Sequence, residues 1–160
     1  RFSLALLERC RQNGIPTALE TSGFASWPVL RSLTAASDLV LYDLKHMDPE
    51  THKSLAGVTN EPILENLKRL AAEHPGVHVR VPCITDLNDG EAHVEQIALF
   101  VAGLGLREMT LLPYNGAAGA KYRWIAKPYT LDGVGTQSPE MMERLAETAR
   151  AAGLVVNVGG

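Results

Sequence analysis

In the run LVLYDLKHMD, from Leu39 to Asp48, an apolar strand ends by placing Asp43 and Lys45 where apolar side chains should continue. Strand side chains alternate faces, so Leu39, Leu41, Asp43 and Lys45 share one face. A buried charge without a partner is costly, so these two ions need each other or a ligand. Two readings follow. One is a structural ion pair closing a barrel. The other is a clamp for a zwitterion, with Asp43 toward an ammonium or cation and Lys45 toward a carboxylate or hydroxyl.

Polar groups stand at other strand ends too. Glu20-Thr21 follow IPTAL, and Ser22-Gly23 let the backbone approach a ligand closely. Arg80 stands in VHVRVP, and Pro113-Tyr114-Asn115-Gly116 end TLL. Singly these are a capping Glu, a surface Arg and a turn Asn. Together, at successive strand ends on one side of a sheet, they describe a binding site.

The elements that must position them alternate. A helix over 1–13 stops at Gly14, and the strand IPTALE and the turn TSGF follow. Ser26 opens a helix with Pro28 in its first turn, and DLVLYDLK is the next strand. Asp48-Pro49 start a short helix that Gly57 ends, and Asn60 caps another. After the strand VHVRVP, Asn88-Asp89 cap a helix ended by Gly103. EMTLLPY is a strand, and a long loop runs from Asn115 to about Gln137. Ser138-Pro139-Glu140 open a last helix, Gly153 stops it, and LVVNV closes the chain as a strand. Strands and helices alternating at roughly thirty-residue intervals predict repeated βα units around a parallel sheet. Ligands of such folds sit beyond the carboxyl ends of the strands.

Bulk composition narrows the function. The chain has 160 residues, 46% hydrophobic and 21% charged, with a net charge of −3, which fits one α/β domain, 1–160, and gives no basic surface for nucleic acid. No apolar run is long enough for a membrane span, and no signal-peptide pattern occurs. The two cysteines, Cys10 and Cys83, are far apart, so a disulfide framework is not expected and a reducing cytoplasm is the expected compartment. Both read as core thiols. The chain opens on RFSLALLERC, without methionine and already inside a helical pattern, and reads as a piece of something longer.

With these residues in order, the chain resembles the C-terminal two-thirds of a glycyl-radical-enzyme activating enzyme, a radical S-adenosylmethionine family that includes pyruvate formate-lyase-activating enzyme. The resemblance runs through GIPTALETSGF, the long segment from DLVLYDLKHMDPETHKSLAGVTNEPILENLKRLA, VRVPCITDLND, LLPYN, KYRWIAKPYTLDG and GLVVNVGG. It implies a partial (β/α)6 barrel of parallel strands, here truncated at the N-terminus. It implies S-adenosylmethionine across the barrel top and a four-iron, four-sulfur cluster in the full-length protein. Asp43, Leu44 and Lys45 match the segment that contacts the methionine part of the cofactor, and Arg80 matches a cofactor-proximal arginine. Glu20 and Thr21 match a pair that, with Asp43, helps bind a monovalent cation. Asn115 stands where the family usually has histidine; it can hydrogen-bond but cannot be cationic. His52, Gly57 and Asn60 match a segment facing the protein partner, although a solvated helix residue and a helix N-cap are the plainer readings of His52 and Asn60.

The loop with Lys121, Tyr122, Arg123 and Trp124 reads as a basic, aromatic docking surface or as a lid over the barrel mouth. The family's cluster motif, C-x3-C-x2-C, and the Gly-Gly-Glu segment after it are absent from this sequence. The chemistry implied for the whole protein is reductive cleavage of the sulfonium, with a flavodoxin- or ferredoxin-type reductant, and removal of a hydrogen from a glycine of a glycyl radical enzyme. The fragment itself is expected to be inactive, and to self-associate through IPTALE, left as an open strand edge. Two alternatives stand beside this oxidoreductase reading: a Schiff-base aldolase using Lys45, with Gly159-Gly160 in a phosphate-binding turn, and a non-catalytic docking module.

Overall fold

The computed structural model describes residues 1–126 and 128–159, apart from the side chains of Ala118 and Lys121. Gly160 of the phosphate-turn reading and the side chain of Lys121 thus lie outside the described residues. Helix α1 (Phe2–Gln12) leads into β1 (Ala18–Thr21), α2 (Trp27–Thr34) and β2 (Leu39–Asp43). Two helices, α3 (Pro49–Ala56) and α4 (Glu61–Glu73), precede β3 (Val77–Pro82), and α5 (Glu91–Gly103) precedes β4 (Glu108–Leu112). The chain ends with α6 (Ala118–Trp124), α7 (Pro139–Arg150) and β5 (Val155–Val158).

The five strands form one sheet in the order β1-β2-β3-β4-β5, every pairing parallel, with β1 and β5 at its edges. This is the α/β partial barrel expected, and it is not closed. Alternation assigns its two faces. Val40, Tyr42, Val79, Val81, Met109 and Leu111 are fully buried against the helices. The opposite, concave face carries Glu20, Leu41, Asp43, His78, Arg80 and Thr110, so most of its chemistry-bearing groups are on one side.

Local signals explain most element ends. Asp48 Oδ1 accepts from the Thr51 N–H at 2.8 Å and starts α3, while Gly57 ends it at φ 79°. Ser138 caps α7 through the Met141 N–H. Three expectations are corrected. Asn88 and Asp89 do not cap α5, whose N-cap is Gly90, because their side chains are used in the preceding turn. Gly103 is the last residue of α5, and the left-handed turn after it falls on Gly105, at φ 76°. The segment after Asn115 is not all loop, since it contains the short α6.

Gly23 fixes the turn that follows β1. Its φ is 71°, and a Cβ there would lie 1.7 Å from the Tyr42 hydroxyl oxygen, so only glycine fits. Asn66 holds the same turn by donating to the carbonyls of Gly23 and Ala25 at 2.8 and 2.9 Å. Tyr42, buried below, donates to Ile63 O at 2.7 Å, and its burial raises its pKa. No helix among the described residues is long and apolar enough to cross a membrane.

Candidate functional site

Parallel register sets Asp43 opposite Arg80, on the concave face. Arg80 donates to Asp43 Oδ1 through Nε at 3.0 Å and Nη2 at 2.8 Å, and Nη2 also reaches Glu20 Oε1 at 2.6 Å. Partial burial works against the guanidinium charge, but its hydrogen bonds to Glu20 and Asp43 outweigh that and raise its pKa. The partner of Asp43 is therefore Arg80, and the reading of Asp43 and Lys45 as each other's counter-ions is corrected. The cross-strand neighbour is nearer than the next same-face residue along β2, and Lys45 lies beyond the end of that strand.

Lys45 is left exposed, and no carboxylate among the described residues lies within ion-pair distance of it. Three grooves meet at its side chain. One of about 480 Å³ is lined by Asp43, His52, Pro82 and Asn88. Another of about 570 Å³ is lined by Pro82, Leu112, Tyr114, Asn115 and Tyr122. The third, about 260 Å³, reaches Ser22 and Phe24. All lie beyond the carboxyl ends of β2, β3 and β4, as the fold requires.

The other expected site residues divide. Asn115 lines the groove beside Lys45, but its Oδ1 accepts from the Ala117 N–H at 3.0 Å, so its NH₂ is the group left for a ligand. Leu44 is corrected: its side chain is fully buried in the core on the opposite face, and its N–H donates to Arg80 O at 2.9 Å. Thr21 points away from Glu20 by strand alternation, and its hydroxyl accepts from the Gly23 N–H at 3.0 Å. The positive charge that Glu20 and Asp43 hold here is the Arg80 guanidinium. No group of three or more His, Cys, Asp or Glu among the described residues is placed to hold a metal.

His52 is not a solvated helix residue. It is 3% exposed, with Nδ1 2.6 Å from Val58 O, and its ring edge borders two of the grooves. Asn60 occupies the N-cap position of α4 but makes no capping bond; 1% exposed, it donates to His46 O and Met47 O at 2.7 Å each. Of the three residues expected to face a partner, Gly57 alone is exposed. In α6, Tyr122 borders the grooves and packs on Tyr129, whose hydroxyl is 2.6 Å from that of Tyr114. That hydrogen bond raises the Tyr114 pKa to about 12. Trp124, 84% exposed, points away from any core.

Cys83 is the core thiol expected: it is fully buried, and burial, aided by the Asp89 charge, raises its pKa to about 12. Cys10 is half-buried on α1. Sequence reasoning missed His93, which stacks on His46 with ring centroids 4.1 Å apart. Burial first, then the His46 charge, lowers its pKa to about 4. It also missed Asn88 as a tie between strand ends. The Asn-Asp pair just after a strand was the available signal, and it was read as a helix cap.

The chain as a whole has known relatives. The chain is 40% identical over 146 residues to the isethionate sulfite-lyase activating enzyme of Nitratidesulfovibrio vulgaris, which covers 90% of the chain and 47% of that protein. It is 36% identical over 141 residues to pyruvate formate-lyase 1-activating enzyme of Escherichia coli K12, covering 85% of the chain and 56% of that protein. A crystal structure of a domain of pyruvate-formate lyase-activating enzyme from Bacteroides vulgatus superposes with a TM-score of 0.81 at 30% identity, covering 99% of this chain and 90% of that one. The chain belongs to the glycyl-radical-enzyme activating enzymes. It spans about half the length of the curated relatives it matches. No protein-family model matches it. SuiB of Streptococcus suis, in a structure bound to S-adenosylmethionine, shares the fold with a TM-score of 0.67 at 13% identity, covering 98% of this chain and 34% of that one. Membership of the activating-enzyme family sets aside the Schiff-base aldolase alternative.

Proposed function

We propose that this chain forms one wall of the S-adenosylmethionine site in an oxidoreductase that installs a glycyl radical on a partner enzyme. One observation carries the reading: an ammonium, Lys45, with no carboxylate partner among the described residues, stands where three grooves meet beside a carboxylate already balanced by arginine. The methionine part of the cofactor suits this donor set. Its carboxylate pairs with Lys45, while Asp43, bonded to Arg80 only through Oδ1, offers Oδ2 to its ammonium. Glu20 and Arg80 hold Asp43 in place, and the Asn115 NH₂ reaches the groove on the other side. When bound, the cofactor supplies radical hydrogen-abstraction chemistry; the protein's part is to orient it and keep water out.

The iron-sulfur cluster does not fit this chain. Its thiolates must converge on one centre, whereas Cys83 is buried with a raised pKa and Cys10 sits on α1. The chain alone therefore performs no redox step. For the whole protein, a flavodoxin- or ferredoxin-type reductant and a glycyl radical enzyme are the partners. Exposed Gly57, Arg123 and Trp124 are the candidates for contact with the latter. Two free cysteines suit the cytoplasm, and the open edge of β1 favours self-association of the isolated chain.

The test is electron paramagnetic resonance of candidate glycyl radical enzymes after anaerobic incubation with the complete activating enzyme, reductant and S-adenosylmethionine. A glycyl radical signal on one of them, lost with Asp43→Ala, is expected. No signal on any candidate, with cofactor bound and cluster reduced, would overturn the reading.

A further inference from the structure

The ladder between β2 and β3 ends just before the site. Its last bond runs from the Leu44 N–H to Arg80 O, at 2.9 Å. The next donor in a parallel ladder would be the N–H of residue 82, and Pro82 has none. Lys45 thus lies one residue beyond the point where the sheet can hold it. What holds it is Asn88, 5% exposed, from the turn after β3. Its Nδ2 donates to Lys45 O at 2.8 Å and to Pro82 O at 2.7 Å, and its Oδ1 accepts from the Ile84 N–H at 2.6 Å.

Both amide protons and the carbonyl oxygen of Asn88 are therefore engaged. One side chain joins Lys45 (two residues past β2), the last residue of β3 and the turn beyond. Asn60 continues the same tie along the backbone by taking the next two carbonyls, those of His46 and Met47. Three consecutive carbonyls after β2 are held by buried amides.

We propose that Asn88 is the positioning residue for Lys45, fixing the Lys45 backbone just past the point where the ladder stops at Pro82 and so aiming the ammonium at its ligand. Although Asn88 borders the groove, its amide protons and oxygen are all engaged by backbone, so it acts through Lys45. The proposal rests on the reading of Lys45 as a contact to the cofactor's carboxylate.

The test is a double-mutant cycle on S-adenosylmethionine affinity, measured by equilibrium dialysis in the complete activating enzyme. Asn88→Asp keeps the shape and removes the donors. It should weaken binding about tenfold, the equivalent of one good hydrogen bond. Combined with Lys45→Met, it should cost nothing further, because its effect is exerted through that side chain. Asn88→Asp with wild-type affinity, or a loss that adds in full to that of Lys45→Met, would overturn the proposal. If Lys45→Met alone binds the cofactor like wild type, the underlying reading fails first, and the proposal falls with it. Asn88→Ser, which keeps one hydroxyl donor, enters the same cycle if the aspartate variant does not accumulate as folded protein.

Discussion

Arg80 lies 2.8 Å from Asp43, directly across the parallel pair of β2 and β3, and this contact decides which charges at the site are free. Arg80 and Asp43 are mostly buried, while Glu20, the second carboxylate on Arg80, is largely exposed. A partly buried, doubly anchored guanidinium cannot be replaced by lysine, which lacks the planar fork. Arg80→Lys should lower stability by about 1–3 kcal/mol, and Glu20→Gln by under about 1 kcal/mol, in urea denaturation. Equal losses for the two variants would contradict this ranking.

Gly23 offers a sharper structural test. Any Cβ at this position meets the buried Tyr42 ring and also requires a left-handed backbone. Gly23→Ala should cost about 3 kcal/mol or more, among the larger losses for a single methyl group. A thermal midpoint within a degree or so of wild type would show that the turn is not packed as described.

His93 makes stability depend on pH in a defined window. Its folded pKa, about 4, lies below the ordinary 6.5, so the unfolded chain binds the proton more readily between those values. The stability due to neutral His93 is complete above about pH 6.5 and is lost as pH falls toward about 4. Urea midpoints measured across that range should slope less steeply in His93→Phe, which keeps a ring stacked on His46. An unchanged slope would assign the acid sensitivity to other groups.

The two thiols should react very differently. Cys10 is partly accessible, whereas Cys83 is buried, donates to Val81 O and has its pKa raised to about 12. Under native conditions iodoacetamide should label Cys10, with Cys83 labelled only as fast as the chain unfolds. Mass spectrometry of the labelled peptides reads this directly, and early labelling of Cys83 would contradict its place in the core.

Much of this site could be read in the sequence because its signals are local. Strand periodicity around Leu39 to Asp43, the Asp48 and Ser138 caps and the Gly57 stop all depend on neighbours a few residues away. What could not be read is non-local. The Asp43–Arg80 pair depends on register between strands separated by two helices. Leu44 lies inside the matching D-L-K motif, yet strand alternation turns its side chain into the core. His52 counts as polar in any periodicity, but Val58 O, beyond the end of α3, accepts it into a buried position. Asn88 looks like a cap because caps and strand-end ties use the same residue type.

The central claim is that Lys45 receives the carboxylate of the cofactor. It is tested most directly by comparing the affinities of S-adenosylmethionine and its decarboxylated form for the complete enzyme, with and without Lys45→Met. Wild type should prefer the carboxylated ligand, and Lys45→Met should lose most of that preference. A preference that survives the loss of Lys45 undiminished would place the carboxylate elsewhere and contradict the account.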